Sequence, residues 1–174
     1  MASAATVLTL ETLNVMNREA FRAALGAVFE SSPWVAERAW DARPFRTLDE
    51  LHAAMRAVVT RAPHAERLAL LRAHPDLAGK AARAGAMSAS SVAEQATAGL
   101  ERLTDDELAR FERLNAAYRE RFGFPFIIAV RRHDTASILA AYETRVKNTA
   151  EQEMATALAQ VFDITRMRLE AQVR

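Results

Sequence analysis

The chain has 174 residues, enough for one domain with a substantial apolar core, so it needs neither a disulfide nor a metal ion to fold. Its 23 basic and 22 acidic residues leave a net charge of +1, which disfavours nucleic acid or an anionic membrane surface as a partner. The lack of cysteine excludes thiol nucleophiles, thiolate metal sites and disulfides, and it fits a reducing compartment.

Charged residues interrupt every apolar stretch before it reaches the roughly 18 residues that a membrane-spanning helix needs. The first residues lack the basic and apolar regions of a secretory leader, and the last ones are not a peroxisomal Ser-Lys-Leu signal. We therefore expect a cytoplasmic protein without a membrane or nucleic-acid partner.

Helix signals recur along the whole chain, and no alternating strand pattern of useful length interrupts them. Gly and Pro number only 5 each, which is typical of helices joined by short turns. Helices are predicted to begin after Asn17, after Pro33, at a Thr47–Glu50 capping box, near residue 64, at capping boxes Ser91–Glu94 and Thr104–Glu107, after Asp134, and at Thr149. The pattern predicts an all-α bundle of about eight helices in one domain, residues 1–174, with residues 1–7 as a loose tail.

His74 is the first candidate functional residue. Pro75 cannot continue the preceding helix, so that helix is predicted to stop at His74. A histidine at a helix exit holds its ring outside the helical ladder, and imidazole titrates near neutrality, so it is a candidate acid or base. The alternative, and the commoner role, is a capping histidine stabilised by the end of the helix. Packing or solvated roles, without metal-ligand spacing to His74, are expected for His52, His64 and His133.

A second candidate group consists of Ser91, Glu94 and Gln95, whose spacings of three and four residues place them on one face of a helical turn. Free backbone N–H groups at the start of a helix would add donors there. Ser91 and Glu94 could instead only cap the helix, but capping does not explain Gln95.

Two more segments depart from the pattern of an ordinary helical bundle. The Gly123–Ile127 loop buries backbone N–H groups that no helix satisfies, so they need a partner in a planar ligand or in the protein itself. Arg168 continues the apolar stripe of the last helix and needs an anion, from the protein or a ligand, unless its side chain extends to water. Arg166 is the competing residue, and helical phase favours Arg168.

These candidates belong to motifs that follow one another in a fixed order: His74-Pro-Asp-Leu-Ala-Gly-Lys80, Ser91-x-x-Glu94-Gln95-x-x-Ala98-Gly99-Leu100, Phe122-Gly-Phe-Pro-Phe-Ile127 and Arg145-x-x-Asn148. The ordered set closely resembles the 2-oxo-4-hydroxy-4-carboxy-5-ureidoimidazoline (OHCU) decarboxylases of urate breakdown. The resemblance covers nearly the whole chain, from the Phe21 helix to Arg168-Leu169, and the set is far more specific than any single motif.

The resemblance implies an all-α, cofactor-free and commonly dimeric enzyme that converts OHCU to (S)-allantoin and CO2. It implies that His74 is the catalytic histidine and Glu94 its carboxylate partner, without a metal ion. Substrate-binding roles are implied for Pro75, Ser91, Gln95, Arg168 and the backbone of Phe126 and Ile127. A homodimer is the implied assembly.

Two other functions compete with this interpretation. A non-catalytic helical interaction module could have kept the fold, but the intact set of His74, Glu94 and Gln95 argues against it. A metal-dependent hydrolase could use His74 and Asp76, but a single histidine at a helix exit is a poor supply of zinc ligands.

Overall fold

The computed structural model describes residues 8–79, 85 and 87–174, and the predicted loose tail, residues 1–7, lies outside them. Across the described residues the regular structure is helical, and the only extended pairing is an isolated bridge between Leu8 and Val173. The α-helices are α1 Leu10–Val15, α2 Arg18–Leu25, α3 Trp34–Ala39, α4 Leu48–Arg61, α5 His64–Arg72, α6 Ala89–Thr97, α7 Asp105–Phe122, α8 Thr135–Arg145 and α9 Ala150–Gln172. The all-α prediction is confirmed.

The chain divides into two compact units, each described separately below. The first unit contains the described residues up to Arg67 together with Thr165–Arg174, and the second unit contains Leu68–Ile164. The single domain inferred from the sequence stays a prediction. Among the described residues, no helix has both the length and the apolar character that crossing a bilayer requires.

In the first unit, side-chain caps fix the starts of the helices. Asn17 accepts a hydrogen bond from the Ala20 N–H at 2.8 Å, so α2 begins where the sequence predicts. Thr47 caps α4 in the same way, but Glu50 accepts from the Arg46 N–H at 2.7 Å rather than completing a capping box with Thr47. The core of this unit contains Leu13, Phe21, Leu25, Val28, Phe29, Val35, Leu51, Met55 and Val59.

In the second unit, the predicted capping box at Thr104 is present at the start of α7, and Asp134, predicted as the cap of α8, forms a capping box with Ser137. Helix α7 ends at Gly123, whose positive φ of 77° suits a residue without a Cβ. The loop that follows, residues 124–129, is buried and leads into a 3₁₀ turn at Val130–Arg132. Helices α7 and α8 bury an aromatic cluster against this loop: Phe111, Tyr118, Phe124, Phe126 and Tyr142.

The predicted capping box at Ser91–Glu94 is wrong, because α6 begins three residues earlier. Its cap is Ser88, whose side chain accepts a hydrogen bond from the Ser91 N–H at 3.2 Å. Ser91 therefore lies in the first turn of the helix, and it is buried together with Gln95 one turn later. Helix α6 ends at Thr97.

Candidate functional site

His74 lies two residues beyond the end of α5 and is buried, with 6% of its surface exposed. Its Nδ1 is 3.0 Å from the carbonyl oxygen of Leu70 in the last turn of that helix. A carbonyl only accepts hydrogen bonds, so Nδ1 carries the proton and donates it. In the neutral ring the proton-accepting lone pair is then on Nε2. The capping contact considered from the sequence is therefore present, and it also selects the tautomer that a base requires.

The backbone after His74 forms a tight turn, residues 74–78, called the His74 turn below. Gln95 holds its end, because Gln95 Oε1 accepts from the Ala78 N–H at 3.0 Å and Gln95 Nε2 donates to the Asp76 carbonyl at 3.3 Å. The Asp76 carboxylate is 3.0 Å from Arg119 Nε. The side chain that would serve a metal-dependent hydrolase is thus paired with a cation.

Within α6, the predicted polar residues differ in burial. Ser91 and Gln95 are buried on the same face, whereas Glu94 is half-buried beside them. Pro75 is also half-buried, in the His74 turn itself. The hydrogen bonds of Gln95 join α6 to the His74 turn. The second unit therefore brings the helix that carries Ser91, Glu94 and Gln95 against that turn.

The Phe126–Ile127 segment is buried and is held from both sides by side chains. Arg145 Nη1 donates to the Ile127 carbonyl at 2.7 Å, and its guanidinium lies over the Phe126 ring at 4.2 Å from the centroid. Gln160 Oε1 accepts from the Ala129 N–H at 2.9 Å. One carbonyl and one N–H of the buried stretch 124–129 are therefore satisfied by the protein, and the partners of the N–H groups of residues 124–127 stay a prediction.

Glu153 of α9 is fully buried and is the centre of this support. Arg145 Nε donates to its Oε1 at 2.8 Å, Asn148 Nδ2 donates to its Oε2 at 2.8 Å, and the Tyr118 hydroxyl also donates to Oε1. The carboxylate thus has donors on both oxygens, which offsets the cost of burying its charge.

The pKa values of both tyrosines are raised above their ordinary range. Burial is the main cause for Tyr118, with Glu153 adding to it, and burial is the main cause for Tyr142, with the charge of Asp76 adding to it. The folded state therefore keeps both phenols protonated at a pH where an unfolded chain loses those protons.

An alkaline titration tests this difference, and the chain's only 2 tyrosines make it specific. The free energy of unfolding is expected to be unaffected by the phenols below about pH 10 and to fall as the pH rises above it, because only the unfolded state then ionises. The folded protein should show no tyrosinate absorbance band there, whereas urea-unfolded protein at the same pH should show it. A tyrosinate band in the folded protein near pH 10 would contradict the raised pKa values.

Arg168 belongs to the first unit, where it is buried and faces an anion of the protein. Its Nη1 is 3.0 Å from Glu30 Oε2 and 3.3 Å from the Val28 carbonyl oxygen. Arg166 is half-exposed and pairs with Glu170 at 2.7 Å and with Asp49. Helical phase thus identified the inward arginine correctly, while its partner Glu30 was not predicted.

The remaining histidines have packing or surface positions. His52 is buried and its Nε2 is 3.1 Å from the Thr165 hydroxyl, whereas His64 is exposed at the start of α5. His133 is half-buried, with Nδ1 3.3 Å from the Ser137 hydroxyl. Across residues 8–79, 85 and 87–174, no three His, Asp or Glu side chains lie close enough together to share a metal ion.

A family model described as OHCU decarboxylase matches residues 14–170 of this chain. The chain belongs to the OHCU decarboxylase family. That range includes every candidate residue named from the sequence, and the resemblance found in the ordered motifs is confirmed at the level of the family.

Curated relatives in this family match almost the full length. The chain is 45% identical to the 2-oxo-4-hydroxy-4-carboxy-5-ureidoimidazoline decarboxylase of Haloferax volcanii, over 93% of this chain and 94% of the relative. It is 44% identical to the protein of the same name from Halalkalicoccus jeotgali, over 95% of this chain and 92% of the relative.

The fold also matches that of a protein whose crystal structure has been solved. The chain superposes on a crystal structure of (S)-allantoin synthase with a TM-score of 0.78 at 37% identity. The match covers 96% of this chain but only 54% of the synthase, so the chain spans about half of that longer protein.

Sequence reasoning missed several buried polar residues in this OHCU decarboxylase family member, and each of them bonds a predicted site residue, the His74 turn or Arg145. Asn115 and Glu153 stood within apolar helical stripes, where a polar residue at a core position is itself a signal. Glu30 follows the buried pair Val28 and Phe29, and the same signal applies to it. Their partners could not be read from the sequence, because each lies in a different element.

Proposed function

We propose that the protein catalyses cofactor-independent decarboxylation of OHCU to (S)-allantoin and CO2 in urate breakdown. The observation that carries this proposal is the family match over residues 14–170, supported by relatives named for that reaction at 45% and 44% identity. The site residues proposed below all lie within the matched range.

The substrate supplies its own electron sink. The bond between C4 and the carboxylate breaks, CO2 leaves, and the released pair forms a C4=C5 bond while the ring C=N takes the displaced pair and a proton at nitrogen. The C4 hydroxyl then loses its proton as C5 gains one, which gives the C4 carbonyl and a new C5–H. The protein must orient the carboxylate, take the hydroxyl proton and deliver a proton to one face of C5.

We assign the base to His74. Its Nδ1–H donates to the Leu70 carbonyl, so the ring orientation is set and Nε2 is the nitrogen that accepts a proton in the neutral form. Glu94 is proposed to hold N–H groups of the substrate, since Leu70 already orients the imidazole. Both residues are part of the unit that contains the His74 turn and α6.

Other groups are proposed to bind the substrate's polar atoms. Ser91 and Gln95 are buried on one face of α6, and Pro75 shapes the turn beside them. The Phe126–Ile127 backbone is proposed to bind ring or ureido amides, because Arg145 fixes its position. Arg168 is proposed to bind an anionic or carbonyl oxygen through its guanidinium fork.

The test of function is turnover. Purified protein should accelerate CO2 loss from freshly generated OHCU, and circular dichroism should record enantiomeric allantoin where the spontaneous reaction gives a racemate. A chelator should leave the rate unchanged, because the proposed mechanism uses the substrate's own C=N. A rate of CO2 loss equal to that without protein would rule out the proposed function.

Arg168→Lys tests the proposed arginine without removing the buried positive charge. The change is expected to lower kcat/KM at least about tenfold, since a charge-assisted hydrogen bond contributes about 1.5–3 kcal/mol. Arg166→Lys on the same helix is the matched control, because Arg166 is half-exposed and pairs with Glu170. Equal kcat/KM values for the two variants would remove Arg168 from the substrate site.

A homodimer and a cytoplasmic location are further parts of the proposal. The homodimer rests on the family resemblance and is tested by sedimentation equilibrium, where a mass equal to one chain would exclude it. The cytoplasmic location is supported by the cysteine-free composition and is tested by cell fractionation.

A further inference from the structure

The His74 turn adopts a backbone conformation that its sequence does not favour. Ala78, at its end, is buried and has a positive φ of 49° although it carries a Cβ. Such a left-handed conformation costs a non-glycine residue roughly 1–2 kcal/mol, so the surrounding contacts must hold it in place.

Three side chains from α6 and α7 hold this turn. Gln95 bonds Ala78 and Asp76, and Arg119 pairs with the Asp76 carboxylate, but the Arg119 side chain is 44% exposed, so water weakens that contact. Asn115 is different, because it is buried and its Nδ2 donates to the Leu77 carbonyl at 2.9 Å.

Tyr142 fixes the orientation of the Asn115 amide. The Tyr142 hydroxyl donates to Asn115 Oδ1, which leaves the NH₂ end of the amide directed at Leu77. The Tyr142 ring in turn stacks on the Phe126 ring, with centroids 3.7 Å apart and planes 16° apart. Two side chains therefore link the His74 turn to the Phe126 segment.

A hydrogen bond between two buried polar side chains fixes their relative orientation. Apolar residues of similar volume would fill the same space but would not fix an orientation. Asn115 and Tyr142 belong to different helices, α7 and α8, and both are buried. Their shared bond lies between the two segments that the proposed function uses for proton transfer and for substrate binding.

We propose that Asn115 and Tyr142 are positioning residues that hold the His74 turn in register with the Phe126 segment during decarboxylation. They act through Leu77 and Phe126. The inference rests on the proposed function, because His74 and Phe126 have their roles only in that reaction.

The test is Tyr142→Phe, which removes one oxygen and keeps the stacked ring. Its kcat is expected to fall about tenfold with KM changed less than about twofold, since a misplacement of roughly 1 Å in an active site can cost ~100-fold in rate. The matched control is Tyr118→Phe, which also removes a buried tyrosine hydroxyl, while Glu153 keeps Arg145 and Asn148 as donors. This control should keep kcat within about twofold.

A second readout does not depend on turnover. The His74 ring resonances, assigned by comparison with a His74 variant among the 4 histidines, should shift or broaden in Tyr142→Phe and stay unchanged in Tyr118→Phe. Unchanged His74 resonances in Tyr142→Phe, or an equal loss of kcat in both variants, would overturn the inference. If the wild-type protein fails to turn over OHCU, the proposed function fails and the inference fails with it. If the wild-type protein turns over OHCU but the His74 resonances are unchanged in Tyr142→Phe, only the inference fails.

Discussion

His74→Asn is expected to lower the rate of OHCU decarboxylation at least about 100-fold while leaving the helical content intact, because a positioned general base contributes roughly 10²–10⁴ in rate. The Asn side-chain NH₂ occupies nearly the same position as Nδ1, so the bond to the Leu70 carbonyl can be kept. The variant therefore removes the base nitrogen and spares the helix cap. His74→Ala removes both, and it should lose the same activity with an additional loss of stability.

His64→Asn is the control for the His74 variants. It changes a histidine of α5 that is exposed at the first turn of the helix, and wild-type activity is expected. The measurement is the rate of enantiomeric allantoin formation, with far-ultraviolet circular dichroism for helical content. Wild-type turnover in His74→Asn would show that His74 acts only as a helix cap. The proposed mechanism would then need a different base.

Glu153→Gln is expected to lower the free energy of unfolding by about 3 kcal/mol, because it leaves the buried Arg145 guanidinium without its anion. The amide also presents an NH₂ group where the carboxylate accepts from Tyr118 or Asn148, so one donor loses its acceptor. Urea unfolding followed by circular dichroism measures the loss as a shift of the midpoint.

Glu143→Gln on α8 is the matched control for Glu153→Gln. It breaks the ion pair between Glu143 and Arg110. The Glu143 side chain is 60% exposed and the Arg110 side chain is 48% exposed, and such exposed pairs contribute about 0–1 kcal/mol. The double variant Arg145→Met with Glu153→Leu should recover part of the lost stability, because no uncompensated charge then stays buried. Equal losses in Glu153→Gln and Glu143→Gln would contradict the central place of Glu153.

Local signals predicted the helices well because helix starts depend on neighbouring residues. Asn17, Thr104 and Asp134 cap their helices where the sequence indicated. Ser91 failed because Ser88 offers the same chemistry three residues earlier. Only the burial of Ser91 and Gln95 against neighbouring elements decides between the two starts, and that is a tertiary property.

The local position and burial of a candidate residue were predictable where its place in the chain is unusual, and its partner was less predictable where that partner is distant. His74 at a helix exit and Arg168 in the apolar phase both gave such signals. The bonds that orient them differ in range, since Leu70 is one turn away from His74, whereas Glu30 is separated from Arg168 by 138 residues. Periodicity indicates which face is buried, but it does not name the partner on another element.

The division of the chain gives each unit its own intrinsic optical signal. Both tryptophans, Trp34 and Trp40, belong to the first unit, and both tyrosines, Tyr118 and Tyr142, belong to the second. Indole fluorescence therefore reports melting of one half, and near-ultraviolet phenol dichroism reports the other, without any label. Coincident melting curves from the two chromophores would mean that a single cooperative transition spans the whole molecule.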